Sequence, residues 1–471
     1  MLITAAVFLL YASGYELTAA KLAAGGAHYL LLNIVAAAAT AITLLKLRDY
    51  DTPPPAWMVF FVLLVFGYIK FYWLILDPTF AQTFFTSTVK LFFLDPAGLF
   101  NAFLIQTISF VVYCSVLIGF SVISGKKHSG SEPNAAKEEE LPCPAAARLF
   151  TSLVLFLMPL LMWLVYKYKI GILGMPSKPL PLHFSGVIFY FQIIVLPGLI
   201  LAQICAASRS GCLRLARAGG GLLLLWAIAD AVLRTSRASL LLAPLLILFL
   251  ALSGGLRFRK IEISAVLGAG FMAVFFLPQI TKYRMLRMST VTSFDSLVYL
   301  FYNFSIAPHD VLSSVAFLLF RVPGIETMVL VLGFPAPVIG AGFLKVLFST
   351  EGLSGYITNH LMGIPPGEPM GFASSFLGGA YLCGGILAVI IASVLVGLTA
   401  TYGWNVLKAF RLEILPVARA FFLILLFWGI TEGVSPILFK QAAAVAATVL
   451  VLEFIMRGGS VSRFLPGGGH K

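Results

Sequence analysis

The chain has 471 residues and a formal net charge of +13, and 60% of its residues are hydrophobic while only 11% are charged. Soluble domains have about 45 to 50% apolar and about 25% charged residues, so this composition excludes a water-soluble protein and indicates a polytopic membrane protein. The basic residues are scattered over short loops, which favours the membrane surface as their partner and excludes nucleic acid.

Apolar stretches recur along the whole chain, and each is close to the roughly 20 residues that one helix needs to cross a bilayer. They predict an all-α polytopic membrane protein with about twelve transmembrane helices. In chain order the predicted spans are 2–17, 27–45, 57–76, 100–124, 149–168, 186–207, 218–233, 238–253, 262–278, 373–401, 414–430 and 437–456.

Loops rich in Lys and Arg alternate along the chain with loops that are poor in them. The basic loops are "KLRDYD" at 46, "GKKHSG" at 125, "SRSGCLRLAR" at 208, "RFRK" at 257, "KAFR" at 408 and "RGGSVSR" at 457. Cytoplasmic loops carry the excess of cations, so all six are predicted to lie inside, with both termini in the cytoplasm.

This topology divides the chain into four regions. Residues 1–278 hold the first nine spans, with a charged cytoplasmic loop at 125–148, and residues 279–372 form a large outer loop. Residues 373–456 hold the last three spans, and 457–471 form a cytoplasmic tail. Pro, Gly and charges interrupt the apolar runs of the outer loop, so we expect interfacial helices or re-entrant elements there. A pair of further spans within this loop would leave the topology unchanged.

Two arginine pairs fall on the predicted outer side, against the usual charge bias. The sequence "DAVLRTSRASLLL" places Arg234 and Arg237 in the turn between two short spans. In the outer loop, "YRMLR" contains Arg284 and Arg287, and Arg321 follows further on. Guanidinium groups hold phosphate oxygens by two parallel hydrogen bonds, so such pairs suit a pyrophosphate. The alternative is that these side chains reach lipid headgroups and bind nothing else.

The end of the outer loop contains two candidate bases. The sequence "YITNHLMGIPPGE" includes His360 and ends at Glu368. Histidine titrates near neutral pH, so His360 is the first candidate for a general base and Glu368 the second. Glycines 378, 379, 384 and 385 in the next span permit close helix packing beside these residues. The five cysteines show no CxxC pair and no metal-ligand spacing, so we expect no metal and no other cofactor.

The chain resembles the Wzy-type polymerases of bacterial O-antigen and related surface polysaccharides, which share an architecture with the O-antigen ligases. The resemblance lies in about twelve spans with a large outer loop before the third-last one, in the "SR" turn of "TSRASLLL" and in the span entry "GGAYLCGGILAVI". One departure is Ala238, because the family often has Gly after this arginine.

The resemblance implies a glycosyltransferase of the bacterial inner membrane that acts in lipopolysaccharide biosynthesis. Such an enzyme joins oligosaccharide repeat units carried on undecaprenyl pyrophosphate at the periplasmic face. The implied partners are the lipid-linked glycan as donor and acceptor, membrane lipid and a chain-length regulator protein. The five outer arginines would then bind the pyrophosphate in place of a metal ion.

Other functions stay open at this point. An O-antigen ligase would use the same donor with a different acceptor. A transporter of lipid-linked oligosaccharides is the main rival, because charged residues in or beside the predicted spans, such as Asp230 and Glu432, could mark a substrate path. A transporter usually shows an internal repeat, and the sequence shows none. A membrane scaffold would not need paired outer arginines.

Overall fold

All regular secondary structure in the described part of the chain is helical. The computed structural model describes residues 16–48, 50, 52–71, 96–124, 144–172, 178, 180–181, 184–234, 237–254, 268, 325–333, 338–349, 352–361, 374–410, 412–433 and 435–457. Seven helices in these ranges are long and apolar enough to cross a membrane, and three shorter apolar helices accompany them. The prediction of an all-α polytopic membrane protein is therefore confirmed, while the number of twelve spans stays a prediction. The predicted spans 2–17 and 262–278 fall almost wholly outside the described residues.

Most helix bounds lie within about five residues of the predicted spans. The exceptions are the first described helix, which begins at Glu16 and not at 27, and the helix that begins at Ser375, which ends at Ala409 and not at 401. The helices are α1 (Glu16–Leu47), α2 (Pro54–Leu64), α3 (Pro96–Ser124), α4 (Pro144–Tyr168), α5 (Phe184–Arg209), α6 (Leu213–Arg234), α7 (Arg237–Leu252), α8 (Ile325–Leu332), α9 (Phe343–Leu347), α10 (Gly352–Tyr356), α11 (Ser375–Ala409), α12 (Leu415–Thr431) and α13 (Pro436–Met456). Single π-helical turns occur at Val65–Ile69 after α2, at Phe191–Val195 within α5, at Ile357–Leu361 after α10 and at Thr399–Gly403 within α11.

The chain forms two compact units. The first unit comprises Met1–Gly130, Leu318–Val406 and Leu425–Phe439. The second unit comprises Ser131–Phe317, Leu407–Ile424 and Lys440–Lys471. The candidate base His360 therefore belongs to the first unit, and Arg234 belongs to the second.

Small buried clusters define the two ends of the second unit. At one end Ala147 of α4 packs with Ala206 and Ala207 of α5, and Met456 of α13 packs against them. The polypeptide enters or leaves these helices through the loops near 125–148, 208 and 457, all predicted to be cytoplasmic. At the other end Val165, Ile170 and Ile172 form a cluster against Phe189 and Leu233. The loops there are predicted to lie outside, so the helices of this unit alternate in direction as the charge pattern requires.

In the first unit, a buried polar contact fixes the register of α11 on α3. The hydroxyls of Ser109 and Ser393 form a buried hydrogen bond of 2.7 Å between these helices. A Cβ at Gly397 would lie 2.8 Å from the Val116 side chain, so only glycine allows this approach. Hydrogen bonds between side chains and small residues at the contact are how membrane helices associate, since lipid is as apolar as the helices themselves.

The short helix α8 is buried around its whole circumference. The side chains of α8 that are at most 1% exposed are Ile325, Thr327, Met328, Val329, Leu330 and Val331. Four consecutive residues cover every face of a helix, so α8 has no side for water or lipid. It packs on α3, on α11 and on the π-turn after α2. The predicted interfacial helices, re-entrant elements and extra pair of spans in the outer loop all stay predictions.

The helix α11 is broken at Gly384 and Gly385. Gly385 has φ of 64° and ψ of −149°, a backbone conformation open only to glycine. The backbone N–H of Ile339 donates to the Leu382 carbonyl at 2.7 Å. This bond satisfies a carbonyl next to the break, which in a membrane would otherwise lack a partner.

The break changes the direction of α11 within the first unit. In a straight helix, Ser375 would lie about 27 Å along the axis from Ser393. Instead, Ser375 lines the same crevice as Gln106, and Gln106 is only one turn from Ser109, the partner of Ser393. Gly378 and Gly379 allow the close packing that the sequence predicted, against Thr327 and Leu353 respectively. Gly384 and Gly385 were also predicted to permit close helix packing, but in the structure they form the break in the helix.

Candidate functional site

The site lies where α6 ends and α7 begins. Arg234 is the last residue of α6 and Arg237 is the first residue of α7. The prediction that the long apolar run of residues 218–253 forms two helices with the arginines at the turn is thus confirmed. The side chain of Arg237 lies outside the described part of the structure, as do Thr235 and Ser236.

Arg234 folds back onto its own helix and binds Asp230 one turn earlier. Its Nε donates to Oδ1 of Asp230 at 2.7 Å, and its Nη2 donates to Oδ2. Two parallel N–H donors on one carboxylate form the bidentate geometry that is specific to arginine. The pair is buried, since Arg234 is 7% exposed and Asp230 is 0% exposed.

The Asp230 carboxylate collects donors from three helices. Besides the two bonds from Arg234 of α6, Oδ1 accepts a bond of 2.8 Å from the Gln192 amide of α5. Oδ2 accepts a hydrogen bond from the hydroxyl of Ser239, in the first turn of α7. A carboxylate offers about four acceptor sites, so Asp230 is saturated by these four donors. An ionised carboxylate with a bound guanidinium and two further donors is a stable arrangement in a buried position.

The π-turn of α5 contains Gln192. Such turns insert one extra residue into a helix and are frequent at functional sites. Both amide hydrogens of Gln192 are used, because Nε2 also lies 3.1 Å from the sulfur of Met162. The amide oxygen is buried and has no hydrogen-bond partner among the described residues.

The walls around Arg234 are aromatic and backbone atoms. The guanidinium carbon lies 5.1 Å from the centre of the Phe189 ring, a cation–π contact. A Cβ on Gly171, whose φ is +63°, would lie 3.7 Å from Cδ of Arg234. Arg234 is therefore largely enclosed by described residues of the second unit.

The other predicted site residues are only partly described. His360 is exposed in the π-turn after α10, and its ring centre lies 5.1 Å from that of Tyr356. Glu368, Arg284, Arg287 and Arg321 lie outside the described residues. Within the described ranges, no group of three or more His, Cys, Asp or Glu residues could hold a metal ion.

The sequence alone did not single out Gln192 and Ser239. Gln192 is one polar residue in an apolar run, and polar side chains inside spans are costly enough to be noticed. Asp230 was noticed, as a candidate for a substrate path, although its spacing of four residues from Arg234 is the spacing of a helical ion pair. Ser239 gave no signal, because a serine near a helix start is common.

Comparison with protein families, curated proteins and solved structures finds no match to this chain. The resemblance to the Wzy-type polymerases stays a hypothesis that rests on the residues quoted for it.

Proposed function

We propose that the protein is a polymerase that joins repeat units linked to undecaprenyl pyrophosphate into O-antigen or a similar surface polysaccharide. The reaction takes place at the periplasmic face of the bacterial inner membrane. The observation that carries the proposal is the arginine turn: two arginines flank a two-residue connection at the end of the second unit where the predicted outer loops meet.

The arginine turn is suited to a pyrophosphate for two reasons. Arg237 occupies the first position of α7, where backbone N–H groups without helical partners and the helix dipole attract anions. The bidentate pair of Arg234 with Asp230 fixes the end of α6, so the turn that carries Arg237 is held in place. Preorganised cations and N–H groups stabilise a leaving group whose charge grows in the transition state.

The chemistry is a glycosyl transfer without a change of oxidation state. A hydroxyl oxygen of the acceptor repeat unit forms a bond to the anomeric carbon of the donor. The bond from that carbon to the pyrophosphate oxygen breaks, and undecaprenyl pyrophosphate leaves with the electron pair. The hydroxyl proton passes to a base, for which the sequence assigns His360 first and Glu368 second. Loss of one preorganised donor to the leaving group costs a factor of about 10² to 10³ in rate.

A transporter is the second candidate, because of the break in α11. Discontinuous helices with freed carbonyls are typical of substrate and ion sites in secondary transporters. Here the Leu382 carbonyl already accepts the backbone N–H of Ile339, and Leu330 and Val331 of α8 pack in one buried cluster with Leu382, next to the break. These contacts favour a structural role for the break over an open transport path. An O-antigen ligase differs from a polymerase only in its acceptor.

The site of accumulation of the lipid-linked glycan tests the proposal. A strain that lacks a polymerase should accumulate single repeat units on undecaprenyl pyrophosphate in the outer leaflet, and its lipopolysaccharide should carry at most one unit. A strain that lacks a transporter would retain the same molecule in the inner leaflet. Full-length free polymer without attachment to lipid A core would instead indicate a ligase.

A further inference from the structure

We propose that Arg234 and its three partners position the turn between α6 and α7, and that Arg237 is the arginine of this turn that contacts the pyrophosphate. The inference rests on the proposed function and divides the roles of the two arginines. Arg234, Asp230, Ser239 and Gln192 are then positioning residues.

The charge of Arg234 is already balanced inside the protein. Its guanidinium and the Asp230 carboxylate form a pair with no net charge, and both oxygens of the carboxylate take part. An anion that approached this guanidinium would also approach the Asp230 carboxylate. The pair therefore attracts a pyrophosphate weakly. Of the two arginines at this turn, this leaves Arg237 as the one for the anion.

Ser239 links the two helices across the turn. Its hydroxyl donates to Oδ2 of Asp230, so the third residue of α7 is tied to the last turn of α6. Residues two apart on a helix differ by about 200° around its axis. Position 237 therefore lies on the face of α7 opposite to position 239, so the tie fixes the start of α7 without occupying the face that carries Arg237.

Gln192 extends the same tie to a third helix. Its Nε2 and the Nε of Arg234 both bond to Oδ1 of Asp230, at 2.8 Å and 2.7 Å, so the two nitrogens are at most 5.5 Å apart. The π-turn of α5 is thereby fixed to the end of α6. Three helices meet on one carboxylate, and the position of Arg237 depends on all of them.

This division of roles makes a prediction about paired substitutions. Asp230→Asn alone leaves a buried guanidinium without its counter-ion, and Arg234→Gln alone leaves a buried carboxylate; either change should disturb the turn. The double variant Asp230→Asn with Arg234→Gln replaces the ion pair by a neutral hydrogen-bonded pair at the same spacing. If the pair only positions the turn, the double variant should recover the pyrophosphate affinity and the thermal stability that each single variant loses.

The experiment combines two measurements on the purified full-length protein in detergent. Calorimetric titration with inorganic pyrophosphate gives the binding affinity, and thermal unfolding gives the midpoint temperature. Arg237→Gln should weaken binding about tenfold or more at an unchanged midpoint, as expected when a charge-assisted hydrogen bond is lost. Each single variant at Asp230 or Arg234 should lower both affinity and midpoint, and the double variant should return within about threefold of wild-type affinity. The matched control is Arg214→Gln, at the exposed start of α6, which should change neither quantity.

A second variant separates the tie from the ion pair. Ser239→Ala removes the bond across the turn and keeps the guanidinium on Asp230, so it should weaken pyrophosphate binding by about two- to fivefold, as expected for one hydrogen bond. The division of roles is wrong if the double variant regains its midpoint but binds as weakly as Arg234→Gln, because Arg234 would then contact the anion itself. If the wild-type protein does not bind pyrophosphate, or if Arg237→Gln binds as well as wild type, the proposed function of the turn is overturned instead.

Discussion

The carboxylate of Glu453 should be a main source of stability at the end of the second unit that carries the predicted cytoplasmic loops. Glu453 is 0% exposed and accepts hydrogen bonds from the backbone N–H groups of Glu413 and Ile414, at 3.0 and 3.1 Å. These groups precede α12, whose first N–H groups have no partners within the helix. Arg457 donates to the same carboxylate from the end of α13. One side chain of α13 thus caps the start of α12.

The size of the effect follows from these contacts. Glu453→Ala leaves the N–H of Ile414, a residue that is 1% exposed, without an acceptor, which costs about 1–3 kcal/mol. The N–H of Glu413 is partly buried and adds about 1 kcal/mol. The expected loss is therefore about 2–4 kcal/mol of unfolding free energy. Glu453→Gln keeps one acceptor oxygen and turns an amide NH₂ toward a backbone donor. Its loss of unfolding free energy should therefore be about half that of Glu453→Ala.

The assay is equilibrium unfolding of the purified protein in mixed detergent micelles, followed by far-ultraviolet circular dichroism. Glu413→Gln is the matched control, because Oε2 of Glu413 is buried without a hydrogen-bond partner among the described residues. Its loss of charge should be neutral or slightly stabilising. Equal unfolding free energies for wild type and Glu453→Ala would refute the capping role, and so would equal losses for Glu453→Ala and Glu413→Gln.

Three further predictions concern the turn, the helix break and the topology. Arg237→Lys should shorten the polymer in cells at normal protein level, because lysine keeps the charge but loses the bidentate geometry; polymer of normal length would favour contact with lipid headgroups instead. Gly385→Ala should lower the thermal midpoint by an amount equivalent to about 1–3 kcal/mol, whereas Gly220→Ala, in open space on α6, should be neutral; equal effects would contradict the break. In a cysteine-free background, Lys178→Cys should react with an impermeant thiol reagent from outside and Arg214→Cys should react only after permeabilisation; labelling of both from one side would contradict the topology.

Hydropathy and loop charge predicted much of the fold because they act locally. One apolar run with two arginines near its centre is too long for one span, and α6 and α7 are the result. The burial of α8 was not predictable, because a short apolar run such as "MVLVL" fits an interfacial or a buried helix equally well. The break at Gly385 depends on the bond between Ile339 and Leu382, which are far apart in sequence.

The site was predictable only in part for a similar reason. The position of Arg234 and Arg237 at a turn follows from span length. The partner of Arg234 could have been inferred from the four-residue spacing to Asp230, but its burial depends on helix packing. Gln192 reaches Asp230 from another helix through a π-turn, and no local pattern in the sequence marks such a contact.

The most direct test of the proposed polymerase is reconstitution with a single substrate. Purified protein in detergent is incubated with a repeat unit linked to undecaprenyl pyrophosphate, without nucleotide sugar and with a metal chelator, and the products are separated by size. A ladder of longer glycans that is formed by wild type and lost in Arg237→Ala, with Arg214→Gln unaffected, is the predicted result. The absence of any ladder from correctly folded wild-type protein would contradict the proposal and favour transport.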